Sequence, residues 1–199
     1  MSYWVKLVRK NSLLSRALLL YYAHLSRRRT PPRLLNYVGG PEFDEIGKTY
    51  FAHIRRWADL KPDERVLDVG CGIGRVTMHL ADYLSERGSY EGFDIVELGV
   101  RWCEQKITKQ HPNFRFRHAN IHNKEYNEKG DIDASSFVFP YPANEFDFVF
   151  ATSVFTHMLP EAALHYLTEI RRVLRPGGRC MISFFFLDAE SKKHTGTCQ

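Results

Sequence analysis

Not one aspartate or glutamate occurs in the first 33 residues, which carry eight basic side chains: Lys6, Arg9, Lys10, Arg16, Arg27, Arg28, Arg29 and Arg33. The chain's net charge of +5 is therefore a poor average, because everything after residue 33 is net acidic by three. A basic arm of this kind attracts anionic surfaces. A net acidic globular part gives no ground for a nucleic-acid partner, and none is expected. Cysteine is sparse too. Cys71, Cys103, Cys180 and Cys198 stand far apart, without the close spacing of a zinc or thiol-redox motif, so the expectation is no metal, reduced thiols and a cytoplasmic setting.

Long apolar runs are also missing. Leu13–Leu25 is mostly apolar, but Arg16 interrupts it and the unbroken run is only Ala17–Tyr22, whereas a membrane-spanning helix needs about 20 apolar residues. Ser26-Arg27-Arg28-Arg29 is a poor cleavage site for a secretory signal. Two readings of this arm stay open. One is an amphipathic helix packed on its own domain or on a partner, which is favoured. The other is peripheral membrane contact through residues 1–33, with the helix lying on an anionic lipid surface. Internal repeats and low-complexity tracts are absent, and a 199-residue chain can bury a substantial core without disulfides or metal.

What is present is an alternation of short apolar runs and amphipathic stretches. Thr30-Pro31-Pro32 and Gly39-Gly40-Pro41 break the chain, since a proline disfavours helix at the residue before it. A helix is predicted over Glu42–Leu60, with Phe43, Ile46, Tyr50, Ile54, Trp57 and Ala58 on one stripe. That spacing places Tyr50, Phe51 and Trp57 in the core rather than over a site. Strands are predicted at Arg65–Val69, Tyr90–Asp94, Phe114–His118, Phe146–Ala151 and Cys180–Leu187. Between them lie helices: one carrying Val76, Leu80, Tyr83 and Leu84 and stopped by Gly88, then Glu97–Gln110 and Glu161–Leu174. Asn120–Asn144 reads as polar and irregular, and Arg175-Pro176-Gly177-Gly178 as a turn. Five strand–helix alternations imply an α/β fold with a parallel sheet and helices on both faces. Ligands of such sheets bind at the carboxyl ends of the strands, where the strand order reverses.

The informative segment is Val66-Leu67-Asp68-Val69-Gly70-Cys71-Gly72-Ile73-Gly74-Arg75. A strand runs into three alternating glycines and then a helix. Glycine permits a sharp turn and lets a ligand approach with no Cβ in the way, and the start of a helix directs free amides and positive dipole toward it. Twenty residues after Gly74 stands Asp94, at the end of the second strand, where an acid can accept both hydroxyls of a ribose. Loop and acid together point to a nucleoside-containing cofactor. The dinucleotide fingerprint requires glycine at the sixth position. Counted from Gly70 that position is Arg75, which disfavours a nicotinamide-dependent oxidoreductase.

The Asp-x-Gly-x-Gly-x-Gly order resembles motif I of the class I S-adenosylmethionine-dependent methyltransferases. Gly92-Phe93-Asp94-Ile95 resembles that family's second-strand motif, Phe146–Ala151 its fourth-strand motif, and Leu174-Arg175-Pro176-Gly177-Gly178-Arg179 its turn before strand five. Together these cover about residues 62–187. The resemblance implies a Rossmann-like doubly wound sheet, order 3-2-1-4-5, lacking the family's last two strands. It implies S-adenosyl-L-methionine as cofactor and methyl transfer by in-line displacement to a small-molecule acceptor. By the same resemblance Asp68, Gly70 and Gly72 line the methionine end, and Cys71 and Gly74 of the same loop are expected among the cofactor-binding residues. Asp94 holds the ribose, Ile95 packs on the adenine, and Ile121 is expected among the cofactor-binding residues. Asn120 stands where the family usually has an acid that accepts from the adenine amino group. His157, after the fourth strand, is the one candidate general base, although a structural role at the helix start near Pro160 is favoured for it.

Four segments are expected: a basic helical arm (1–33), a lead-in helix (34–61), the cofactor-binding domain (62–187) and a polar tail (188–199). Phe184-Phe185-Phe186 would lie on an open edge strand, and long apolar edges pair with other chains. The expectation is therefore a piece of a longer protein, or an edge covered by the arm or by a partner, a homo-oligomer through strand five included. The alternative function is a truncated or degenerate methyltransferase fold acting as a non-catalytic cofactor- or partner-binding module.

Overall fold

A computed structural model describes residues 12–25, 29–37 and 42–184. Its elements, in order, are α1 (Ser12–Leu25), α2 (Phe43–Trp57), β1 (Arg65–Val69), α3 (Thr77–Ala81), β2 (Ser89–Asp94), α4 (Glu97–Cys103), β3 (Phe114–His118), β4 (Phe146–Ala151), α5 (Pro160–Val173) and β5 (Leu174–Ile182). The five strands form one sheet in the order β3-β2-β1-β4-β5, and every pairing is parallel. This is the expected Rossmann-like arrangement, with the strand order reversing between β1 and β4.

Strand periodicity divides the core into two layers, because successive side chains point to opposite faces. Val66, Tyr90, Phe114, Phe148 and Phe150 bury against α2, α3 and α4. Leu67, Val69, Phe93, Val149 and Ala151 bury against α5 and the 137–141 segment. All of β4 is buried, as an inner strand covered on both faces must be. Pro160 occupies the first turn of α5, where its missing N–H leaves no hydrogen bond unmade.

Several expected boundaries shift. The helix after the glycines is one short turn of five residues, not a helix running to Gly88. The predicted helix Glu97–Gln110 is α-helical to Cys103 and continues as a wider π turn over Glu104–Thr108. Strand five begins at Leu174 rather than Cys180. Leu174 pairs with Phe146 and Arg179 with Phe148, so four residues face Asp147 alone and form a bulge. Gly177, at φ +78°, supplies the left-handed conformation there. The expected turn is real, but it is folded into the strand. Phe184 packs on Phe155 at 5.0 Å between ring centroids. Phe185, Phe186 and the polar tail lie outside the described residues, as do residues 1–11 of the arm. Trp57 is 66% exposed rather than core, and its ring stacks on His53 at 4.2 Å.

The described part of the arm packs on the domain. Ser15 and Leu19 of α1 are buried, and Leu14, Leu18 and Tyr22 pack against the same core layer, whereas Leu13, Leu20 and Tyr21 face outward. Arg29 donates to Met78 O and pairs with Asp82, while Trp102 Nε1 donates to Arg29 O. Among the described residues no helix is long and apolar enough to cross a membrane.

The long connection after β3 is held by polar ties that the sequence pattern did not announce. Phe139 N donates to Glu169 Oε2 (2.7 Å), and Arg172 donates to Phe139 O, Tyr141 O and Glu169. A carboxylate buried on α5 is thereby satisfied by a backbone amide and a guanidinium, as a buried charge requires.

Candidate cofactor site

The site is built at the carboxyl ends of β1, β2, β3 and β4. Leaving β1, the chain passes through Gly70, Gly72 and Gly74 at φ +80°, +58° and +82°, the left-handed region that side-chain-bearing residues rarely adopt. At Gly70 a Cβ would lie 2.4 Å from Val154 Cγ2, and at Gly74 one would lie 2.9 Å from Cys103 Sγ. Both positions are glycine for two reasons at once, conformation and contact.

The amides of this loop are turned inward. Gly70 N and Cys71 N both donate to Phe93 O, at 2.9 and 3.0 Å, and Gly74 N donates to Cys71 O. Gly72 N donates to Asp94 Oδ2 at 2.8 Å. With α3 so short, the expected helix-dipole attraction for a carboxylate is not what this loop offers. It offers a backbone ridge, buried over Cys71–Gly74 and tied to the tip of β2.

Asp94 does face the loop. Its Oδ1 accepts from Val96 N (2.8 Å) and its Oδ2 from Gly72 N, so the carboxylate is fixed in orientation while each oxygen keeps a further lone pair. Burial pushes its pKa up, and the Val96 and Gly72 amides oppose that shift. Asp68, 2% exposed, lies on the same side. Tyr90 Oη donates to Asp68 Oδ2 (2.7 Å), and Thr77 hydrogen-bonds Tyr90. Asp68 Oδ1 is buried without a hydrogen-bond partner. Burial raises the Asp68 pKa to about 8, Tyr90 opposes the shift, and the charge of Asp94 adds to it. Two buried carboxyl groups, one with an oxygen left over, are stabilised in their ionised form by a ligand that brings hydroxyl donors and positive charge. That fits an adenosyl sulfonium amino acid. Burial lifts the Cys71 thiol well above its usual value, which removes it as a nucleophile.

Ile95 is half-buried beside Asp94, and its carbonyl lies 3.2 Å from His118 Nε2. Ala119 N donates to Asp94 O, which brings the following Asn120 and the buried Ile121 to the same rim. His157 is exposed in a single helical turn after β4 and meets Tyr126 edge-on at 6.2 Å. The structure thus groups Asp68, the glycines, Asp94, Ile95, Asn120 and Ile121 closely, with His157 on the neighbouring strand tip.

Two residues at the site were not singled out from the sequence. Tyr37 is 6% exposed, and a Cβ on Gly99 would lie 2.1 Å from its hydroxyl and 2.4 Å from Gly72 O. Tyr37 therefore covers the seam between the glycine loop and α4. Val154 covers Gly70. Both reach the site across long sequence separations, and no local pattern marks either.

A parallel sheet with a reversal point, a left-handed glycine ridge and a buried acid at the tip of β2 define a nucleoside-binding α/β domain. The chain belongs to the methyltransferase-domain family, whose sequence profile matches residues 60–197. It is 36% identical to a probable methyltransferase of Aspergillus luteorubrus over 60% of this chain and 39% of that one. It is 30% identical to the 27-O-demethylrifamycin SV methyltransferase of Amycolatopsis mediterranei over 64% of this chain and 41% of that one. The chain spans about two-fifths of the length of these relatives. The crystal structure of a SAM-dependent methyltransferase from Aquifex aeolicus shares the fold with a TM-score of 0.54 at 24% identity, over 72% of this chain and 66% of that one.

Proposed function

We propose that this chain binds S-adenosylmethionine and transfers its methyl group to a small-molecule acceptor. The observation that carries the reading is the Gly72–Asp94 clamp beside the unpartnered oxygen of Asp68. The bound sulfonium supplies an activated methyl carbon, open to in-line attack by the acceptor. The protein's part is alignment and exclusion of water. Asp94 holds the ribose hydroxyls with the lone pairs that Gly72 and Val96 leave free. Asp68 faces the positive end. Ile95 and Ile121 flank the adenine, and Asn120 accepts from its amino group. For an acceptor with a weakly acidic hydroxyl, His157 takes the proton on its imidazole. The small-molecule acceptor is supported by the Amycolatopsis relative, which is named for a rifamycin derivative.

Calorimetric titration with S-adenosylmethionine, S-adenosylhomocysteine and NADH tests the cofactor. The first two bind and NADH does not; the reverse result overturns the reading. Release of methyl label to a panel of small acceptors tests turnover. The second reading, a binding module without turnover, is supported by the edge of β5, which has no strand beyond it among the described residues and where Leu167, Ile170, Leu174, Pro176 and Cys180 line a cleft. The same edge is proposed as the contact of a homo-oligomer, which light scattering on the purified protein tests: a monomer at all concentrations removes it.

A further inference from the structure

Asn120 carries both a donor and an acceptor, and residue type alone does not say which of them faces a ligand. Its surroundings do. Asn120 Nδ2 donates to Asp131 Oδ1 at 2.8 Å, and Asn120 Oδ1 accepts from Asn127 Nδ2 at 3.2 Å. A carboxylate only accepts, so the NH₂ end of Asn120 is committed to Asp131 and cannot turn away. The carbonyl end keeps one lone pair beyond the Asn127 bond.

The loop that brings Asp131 there is itself closed against Asn120. Asp131 N and Ile132 N both donate to Asn120 O at 3.2 Å, and Ile121 bridges Ile132. At Gly130 a Cβ would lie 2.4 Å from the carbonyl carbon and oxygen of Ile121, so only glycine lets the loop press this close. Asn127 Nδ2 is anchored by a second acceptor, Ile121 O, at 3.0 Å.

We infer that Asp131 is a positioning residue that fixes the polarity of Asn120, making an amide act as a pure acceptor toward the base of the bound nucleoside and thereby selecting a 6-amino over a 6-oxo purine. The inference rests on the cofactor reading above. It explains how an amide serves where the family pattern has an acid: an acid eleven residues further along the chain dictates which end of the amide is presented.

The test is a calorimetric comparison of S-adenosylhomocysteine with S-inosylhomocysteine, its 6-oxo analogue, near neutral pH. Wild type prefers the adenosyl ligand by about tenfold or more, the scale of one neutral hydrogen bond gained against one lost. Asp131→Ala frees the amide to turn and offer its NH₂ to the 6-oxo group, so the ratio falls about fivefold. Asp131→Asn, nearly the same shape but able to donate, also lowers the ratio. Asp131→Glu, which only accepts, keeps most of it. A purely structural role for Asp131 weakens both ligands equally and leaves the ratio unchanged, and that result overturns the inference alone. Failure of wild type to bind S-adenosylhomocysteine overturns the cofactor reading and takes this inference with it.

Discussion

The Gly72 backbone N–H donates a 2.8 Å hydrogen bond to Asp94 Oδ2, joining the glycine loop after β1 to the tip of β2 across 22 residues. With Val96 N on the other oxygen, the carboxylate is oriented before any ligand arrives. Hydrogen bonds to an ionised group are stronger than neutral ones, so the site is set by the protein rather than assembled around the ligand.

Asp94→Ala removes this orientation along with the proposed acceptor for two ribose hydroxyls. The expected loss of S-adenosylhomocysteine affinity is on the order of 100-fold, from about 3 kcal/mol of lost charged hydrogen bonding. Calorimetry reads it directly, and an unchanged affinity removes the ribose assignment.

Gly70→Ala meets Val154 Cγ2 and a φ of +80°. The two costs are separable. In a Val154→Ala background the contact is relieved, but the left-handed backbone still costs about 1–2 kcal/mol. Urea unfolding of the single and double variants should show partial recovery only; full recovery would mean that the backbone carries no strain.

Asp68 gives a pH signature. Its folded pKa of about 8 lies above the unfolded value, so the folded state binds the extra proton. Its stabilising contribution is full below about pH 4 and is lost as pH rises through 8, at up to about 1.4 kcal/mol per pH unit. Asp68→Asn, which cannot ionise, should lack this decline, and the two stability curves should diverge between pH 5 and 8. Parallel curves refute it. A cationic ligand stabilises the Asp68 carboxylate, so binding near pH 7 should release protons. Titrations in buffers of different ionisation enthalpy measure the release, and it should vanish in Asp68→Asn.

Helix α1 has two faces that can be tested apart. Leu19, 3% exposed, belongs to the core, and Leu19→Ala should cost about 2–4 kcal/mol. Leu20, 61% exposed, should be near neutral when changed to Ser. The second reading of the arm, contact with an anionic lipid surface, assigns that contact to its basic side chains and the outward Leu13, Leu20 and Tyr21. Flotation with anionic vesicles should therefore fall in Leu13→Ser/Leu20→Ser at unchanged stability, whereas equal recovery ends that proposal. Deleting residues 1–33 is the poorer experiment, because it also strips Leu19 and the Arg29 contacts from the core.

Much of the architecture is readable along the chain. β1, β3 and β4 match their predicted ranges, and β2 starts one residue earlier, at Ser89, because a buried strand between glycines or charges is a local pattern of a few residues. The bulge in β5 is not local: it arises where Leu174 and Arg179 take partners two residues apart on β4, and Arg175–Gly178 read alone is simply a turn. Likewise, the stripe containing Trp57 is periodic, but periodicity does not reveal that Trp57 turns to solvent while Ile54 and Ala58 on either side of it are buried.

The sequence alone determined the order of strands and helices, the glycine ridge and the acid at the end of β2, since each follows from residue type and spacing over short stretches. Only the tertiary structure decided which loop amides are already bonded, that Tyr37 and Val154 cover the glycines, and that Asp131 holds Asn120. Those are choices of partner between residues far apart in the chain. Several polar groups could have satisfied each donor, and packing of the elements leaves just one within reach.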